Sequence, residues 1–387
     1  MKLRAILPVF LLGLLAGCQV PDAELDSQVP DEEQEFEREH ATYDFPAAID
    51  GQEFIQTYEG THDIMADADP EVHHVVLVQH GAAQNPVRYF EDAVTALEEA
   101  DSEQPELGLD RHVMILSIAA IGESHVEDNP DRYANGHYAY WPGGWRGGEA
   151  SLNEPSISNF DLLDAMTTHV ADHFPALESI VFVGHSAGGQ VMSRYAVGTP
   201  LTEGLEDRGI RIRYIVSNPS TFLYFDRQRP DFEAGEGMID FADEDPLVDD
   251  EACPGFNEYH TGFEGERPEY MTRRSVDEMI ETFRHREVVL FQGADDNDPE
   301  GAALARGCSA MLQGAHRLER GERFYEYLGA FFGEEVYDNM HLVIIPGVGH
   351  NHAGMFASEG GKEILFFDFF GDQVAQAPLE RGAYAAR

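Results

Sequence analysis

Residues 181 to 190 read VFVGHSAGGQ, and the one hydroxyl in that run, Ser186, sits among Gly184, Gly188 and Gly189. The apolar SIVFV before it reads as a buried strand, and GGQVMSRYAV after it can begin a helix. Gly-X-Ser-X-Gly at a strand-to-helix turn holds the serine in a strained backbone conformation with its hydroxyl exposed, and glycines are needed where neighbouring elements crowd the turn. His185 occupies the variable position and is expected to pack beside it. The pattern alone also fits a glycine-rich turn with an idle serine, so the partners decide. A serine hydroxyl is a weak nucleophile near neutral pH and needs a base oriented by a carboxylate. LVIIPGVGHNHAG offers His350 and His352 after the last predicted strand; His350 is favoured because Gly347 and Gly349 permit a tight turn. The strand before that one ends in GADDNDP. Asp296 is favoured there as the acid, with Asp298 and then Asp295 in reserve, although three such acids also fit a solvated or cation-binding loop.

These groups need a scaffold that brings strand ends together. HHVVLVQ, HVMILSIA, SIVFVG, IRYIVSN, EVVLFQ and HLVIIP are short valine- and isoleucine-rich runs without polar alternation, as strands buried on both faces are. Between them lie amphipathic helical segments, among them PVRYFEDAVTALEEA, SNFDLLDAMTTHVADHF (capped by Ser158 or Asn159), RRSVDEMIETFRHR and RGERFYEYLGAFF. This alternation predicts an α/β fold: a mainly parallel central sheet with helices on both faces. Residues 219–271 show no sustained period and are expected to form a long loop excursion over the edge of the sheet that carries the site. No linker divides residues 49–387, so they read as one domain. There is no internal repeat.

Composition narrows the partners. Of 387 residues, 43% are hydrophobic, ample for a core, while 25 Lys plus Arg against 72 Asp plus Glu leave a formal charge of -47. Such a field repels nucleic acid and anionic surfaces. Lysine occurs only at Lys2 and Lys362, and an acidic, lysine-poor surface resembles those of proteins from salty habitats, where screening makes dense like charge tolerable. An acidic secreted protein is the simpler alternative.

The N-terminus reads as an export signal. Lys2 and Arg4 precede an apolar stretch from Ala5 to Ala16 that is too short to span a bilayer. LLAGC resembles a bacterial lipoprotein box, which implies removal of residues 1–17 and lipid attachment at Cys18; Gln19 after it implies sorting to the outer membrane. An ordinary secretory signal is the alternative. Residues 18–48, acidic and broken by Pro21 and Pro30, read as a flexible tether. Export leaves Cys253 and Cys308 in an oxidising compartment, where two thiols make one bridge. The loop-entropy model assigns that bridge about 4 kcal/mol at most.

The order of nucleophile, acid and histidine on successive strand ends resembles the α/β-hydrolase superfamily; GHSAGG, GADDND and PGVGH carry the resemblance across roughly residues 70 to 370. NFDLLDAM, NPSTFLYF and CSAMLQGAHRLERGERFYEYL further resemble a little-characterised fungal and bacterial group within it, a likeness that fixes no activity. The superfamily arrangement implies an oxyanion hole from the backbone N–H groups of Ala187 and of Ala82, which follows His80 and Gly81, with Ala83 as a substitute. Trp141 and Trp145, with Tyr140, lie in a glycine-rich loop expected to form one substrate wall, and Tyr224, Phe256 and Tyr259 the opposite one, unless these loops simply pack on each other.

No dinucleotide fingerprint, phosphate loop or metal-ligand spacing is present, so no cofactor or metal is expected. The expectation is an exported, lipid-anchored serine hydrolase cleaving small-molecule or polymeric carboxylic esters. Amide, peptide and polyester cleavage stay open, because fold does not choose among them. A non-enzymatic lipoprotein that binds a ligand or partner through the same pocket is the competing class.

Overall fold

The structure is a computed structural model, described here over residues 42–49, 51–128, 138–153, 156–233, 235, 237–240, 253–369 and 384–385. The export signal, Cys18 and most of the tether lie outside these residues. All of the described residues fall in one unit.

Among the described residues the main sheet has nine strands: β1 (Thr42–Ile49), β2 (Gln52–Gly60), β3 (His74–Gln79), β4 (Val113–Ile118), β5 (Ser179–His185), β6 (Arg211–Ser217), β9 (Glu287–Gly293), β10 (Met340–Ile345) and β11 (Tyr384–Ala385). Their order is β1-β2-β4-β3-β5-β6-β9-β10-β11. From β4 to β11 every pairing is parallel, and the β1–β2 hairpin joins β4 antiparallel. The six strands predicted from apolar runs are all present.

Period-2 alternation divides the buried side chains between two layers. Val76, Val78, Val181 and Val183 face a layer built from α1 (Pro86–Glu103), α6 (His352–Ala357) and α7 (Glu359–Leu365). Val75, Leu77, Ile180 and Phe182 face the layer of α2 (Asn159–His173), α3 (Ala187–Gly198), α4 (Val276–Phe283) and α5 (Arg317–Phe332). Ser158 caps α2 in a reciprocal capping box with Asp161, as its position before the apolar stripe predicts. Among the described residues no helix is long and apolar enough to cross a membrane.

One expectation needs correction. The tether was expected to run to residue 48, yet β1 begins at Thr42. Its ladder to β2 runs from Thr42 opposite Glu59 to Ile49 opposite Gln52, Phe45 is buried, and Tyr43 stacks on Tyr58 at 5.4 Å. Those contacts supply the apolar burial that the acidic composition upstream lacks, and Pro46 is tolerated because β1 is an edge strand.

The excursion also contributes to the core. Phe222 stacks on Phe324 of α5 at 4.5 Å, Phe225 packs among Phe283, Phe331 and Phe332, and Met271 is buried. It also carries a small antiparallel pair, β7 (Gln228–Pro230) and β8 (Met238–Asp240), apart from the main sheet. Cys253 and Cys308 form a disulfide that ties this segment to the stretch between β9 and α5.

Candidate active site

Strand β5 delivers Ser186 to the first turn of α3 with φ 60° and ψ -117°, a region that L residues enter only when the surroundings impose it. The surroundings are backbone. A Cβ on Gly188 would collide with the Gln79 carbonyl oxygen at the end of β3, and one on Gly189 with the Ser217 carbonyl oxygen at the end of β6. Ser186 itself donates its N–H to Ser217 O at 2.9 Å. The glycines therefore let the start of α3 settle between two strand ends, and the serine takes the strain.

His350 reaches that serine from the turn after β10. Its Nε2 lies 3.0 Å from Ser186 Oγ, and its Nδ1 lies 2.7 Å from Asp296 Oδ2. The structure thus brings Ser186, His350 and Asp296 together in one hydrogen-bonded chain.

His352 stands apart. It stacks on Tyr89 of α1 at 3.8 Å with the rings nearly parallel, and its Nε2 approaches Asp92 at 2.7 Å but out of line for a hydrogen bond. Of the three acids, Asp295 and Asp298 are exposed, and an Oδ1 of Asp298 caps the Glu300 N–H. Asp296 alone is buried, at 6% exposure.

Asp296 is supported on both oxygens. Asn218 Nδ2 donates to Oδ2 at 2.7 Å, and Arg317 Nη1 lies 3.3 Å from Oδ1. Burial by itself would raise its pKa. The His350 hydrogen bond and charge, the Arg317 guanidinium and the Asn218 amide outweigh that and hold it below the ordinary value. For His350, partial burial pushes the pKa down, Arg317 adds to that, and the bond to Asp296 opposes it. His185, whose ring centre lies 4.6 Å from that of His350, is fully buried, and burial keeps it neutral well below its ordinary pKa.

Ala187 is the first residue of α3, and Ala82 sits in the turn after β3 with Ala83; the N–H groups of Ala82 and Ala187 have no acceptor among the described residues. That turn is anchored to the end of β4. His80 Nε2 accepts Ala120 N–H at 3.0 Å, and Gln84 Nε2 donates to Ala120 O at 2.7 Å. Asn218, Arg317, His80 and Gln84 were missed in the sequence. Asn218 closes the predicted strand IRYIVSN and opens NPSTFLYF, and Arg317 lies in CSAMLQGAHRLERGERFYEYL, but neither stretch shows that these two side chains meet Asp296, from which Arg317 is 21 residues away.

The expected aromatic walls do not form. Trp141 and Tyr224 are at 0% exposure and Trp145 at 3%, so they have almost no surface to offer a substrate. Trp141 donates Nε1–H to Glu149 O, and Trp145 lies against His80 at 4.9 Å. Tyr224 packs on Tyr327 with the Arg229 guanidinium 4.3 Å over its ring; Phe256 lies under the same guanidinium. Tyr259 is half-buried and donates its hydroxyl to Gly147 O at 2.6 Å, and His260 meets Glu149 alongside. The two loops therefore pack on each other: large aromatic surfaces gain more by mutual burial than by facing water.

The sheet order and two helical layers are those of the α/β-hydrolase fold. The chain is similar in structure to a poly(3-hydroxybutyrate) depolymerase from Bordetella parapertussis, with TM-score 0.51, 17% identity, and coverage of 84% of this chain and 90% of that one. It is likewise similar to poly(aspartic acid) hydrolase-1 from Sphingomonas sp. KT-1, with TM-score 0.52, 18% identity, and coverage of 84% and 98%. No family model and no curated protein sequence matches the chain.

Proposed function

We propose that the protein is a serine hydrolase that cleaves carboxylic esters through an acyl-enzyme. The observation that carries this reading is the chain Ser186 Oγ, His350 Nε2, His350 Nδ1, Asp296 Oδ2, with steps of 3.0 and 2.7 Å. Ser186 Oγ attacks the ester carbonyl carbon as His350 Nε2 takes its proton, and Asp296 holds the imidazole in the tautomer that can accept it. The carbonyl oxygen becomes an oxyanion, received by the Ala82 and Ala187 N–H groups. Collapse breaks the bond to the alcohol, which leaves with the proton from His350. Water, deprotonated by the same imidazole, then releases the acid from Ser186.

The two structural neighbours are named for hydrolysis of poly(3-hydroxybutyrate) and poly(aspartic acid), so short linear polyesters belong among the substrates tested beside small esters. The LLAGC sequence supports export and a lipid anchor at Cys18 on the outer membrane, with the catalytic unit displayed on a tether.

Fluorophosphonate labelling and turnover of a short p-nitrophenyl ester test the reading. Both are expected in the wild type and neither in Ser186→Ala. Undiminished turnover in that variant would reject Ser186 as nucleophile. A wild type that takes no label but binds ligand saturably would favour the non-enzymatic class.

A further inference from the structure

Asp296 is held on more sides than orienting an imidazole requires. Its Oδ2 accepts from both His350 and Asn218 at 2.7 Å, and its backbone carbonyl accepts Leu318 N–H at 3.2 Å in the first turn of α5. The remaining oxygen, Oδ1, faces Arg317 Nη1 at 3.3 Å. Arg317 is at 1% exposure, and its Nη2 donates to Ala302 O at 2.7 Å. Among the described residues Asp296 is its one ion-pair partner. A guanidinium buried this way is held for what it touches, because removing either member of a buried pair leaves an uncompensated charge.

We propose that Arg317 is a positioning residue for hydrolysis: it stops rotation of the Asp296 carboxylate by engaging the oxygen His350 does not use, and it sets a fixed positive charge behind the Asp296–His350 pair. The proposal rests on the triad reading above.

Two effects follow. A carboxylate torsion is broad, so without Arg317 the Asp296 carboxylate plane can swing about its Cβ–Cγ bond and its hydrogen bond to His350 loses a fixed direction. A guanidinium also bridges two acceptors at once, which a lysine ammonium on a flexible stem does not do in a fixed geometry. The charge acts on the imidazole directly. The groups facing His350 are Asp296 and Arg317 from the segment between β9 and the start of α5, His352 from its own turn, and His185 from the end of β5. Asp92 of α1 lies behind His352. Only Arg317 is a permanent cation in that set. It opposes imidazolium formation, so His350 remains a free base to lower pH than it would otherwise.

The test is the pH profile of kcat/KM for a neutral p-nitrophenyl ester in the wild type, Arg317→Lys and Arg317→Met, with active sites counted by fluorophosphonate titration so that misfolded chains do not enter the rate. In Arg317→Met the ascending limb is expected to move up by about one pH unit. Its kcat is expected to fall about 10- to 100-fold with KM little changed. Arg317→Lys should keep the limb near its wild-type place and recover part of kcat. Arg317→Gln, of similar length, replaces the Met variant if that chain does not fold. A limb that stays put in the uncharged variant, or a Lys variant no different from it, overturns the proposal. A wild type without label or turnover would instead defeat the triad reading, which is a separate outcome.

Discussion

A methyl group on Gly188 would overlap the carbonyl oxygen of Gln79, the last residue of β3. Helix α3 therefore begins in backbone contact with the sheet, and that contact fixes where Ser186 stands. Gly188→Ala is expected to destabilise the protein by about 1–3 kcal/mol and to cut ester turnover more than tenfold. Gly204 makes the control, since a Cβ there meets nothing within 4 Å. Gly204→Ala should leave urea unfolding unchanged or shift it by up to about 1 kcal/mol towards stability. Equal losses in both variants would refute the crowding account.

The acid can be assigned by substitution. Asp296→Asn keeps the shape but lets the amide present its N–H to His350, and kcat should fall about 10⁴-fold. Asp298→Asn and Asp295→Asn should stay within a few-fold of wild type, because both side chains are exposed and neither meets His350. Steady-state rates on one ester decide the matter.

The Cys253–Cys308 bridge closes a separation of 55 residues. Replacing both cysteines by serine is expected to cost about 2–4 kcal/mol, read as a lower urea midpoint, with reductant reproducing the loss in the wild type. A midpoint insensitive to both treatments would show that packing of Phe222, Tyr224 and Phe225 holds the excursion without the bridge.

Acid should unfold the protein in a defined window. Burial lowers the pKa of His74 and of His80 to about 4. Both are neutral in the fold and free to protonate at about 6.5 once unfolded. Their contribution is complete above pH 6.5 and is lost as pH falls towards 4, at up to about 1.4 kcal/mol per pH unit for each. Urea midpoints at steps from pH 7 to 4.5 measure the slope, which His74→Gln should reduce. A flat curve would contradict neutral burial.

With a formal charge of -47, repulsion among carboxylates should weaken the fold at low ionic strength. Tm is expected to rise between 0.05 and 1 M NaCl, over which the Debye length shrinks to about 3 Å. A Tm that does not respond would remove the salt-adapted reading.

Local pattern was enough for much of this molecule. The parallel strands were legible because burial on both faces demands unbroken apolar runs, and α2 because a serine cap and a helical stripe coincide. The β1–β2 hairpin was not, since β1 is an edge strand that carries a proline and buries only Phe45, and β2 places the polar Gln56, Thr57 and Glu59 among its buried positions. The aromatic loops misled for a related reason: composition shows that Trp141 and Tyr224 must find a large apolar contact, not whether a ligand or another loop provides it.

The sequence by itself determined the elbow, because Gly-X-Ser-X-Gly between strand and helix is a local steric requirement carried by adjacent residues. It also narrowed the proposed base to two histidines and the proposed acid to three aspartates. Only the tertiary structure brings one of each, His350 and Asp296, into hydrogen-bond reach of Ser186 and of each other. Asp296 is distinguished by Asn218 and Arg317, which lie 78 and 21 residues away and meet it because β6, β9 and α5 converge. Such convergence depends on strand order and helix docking, which neighbouring residues along the chain do not encode.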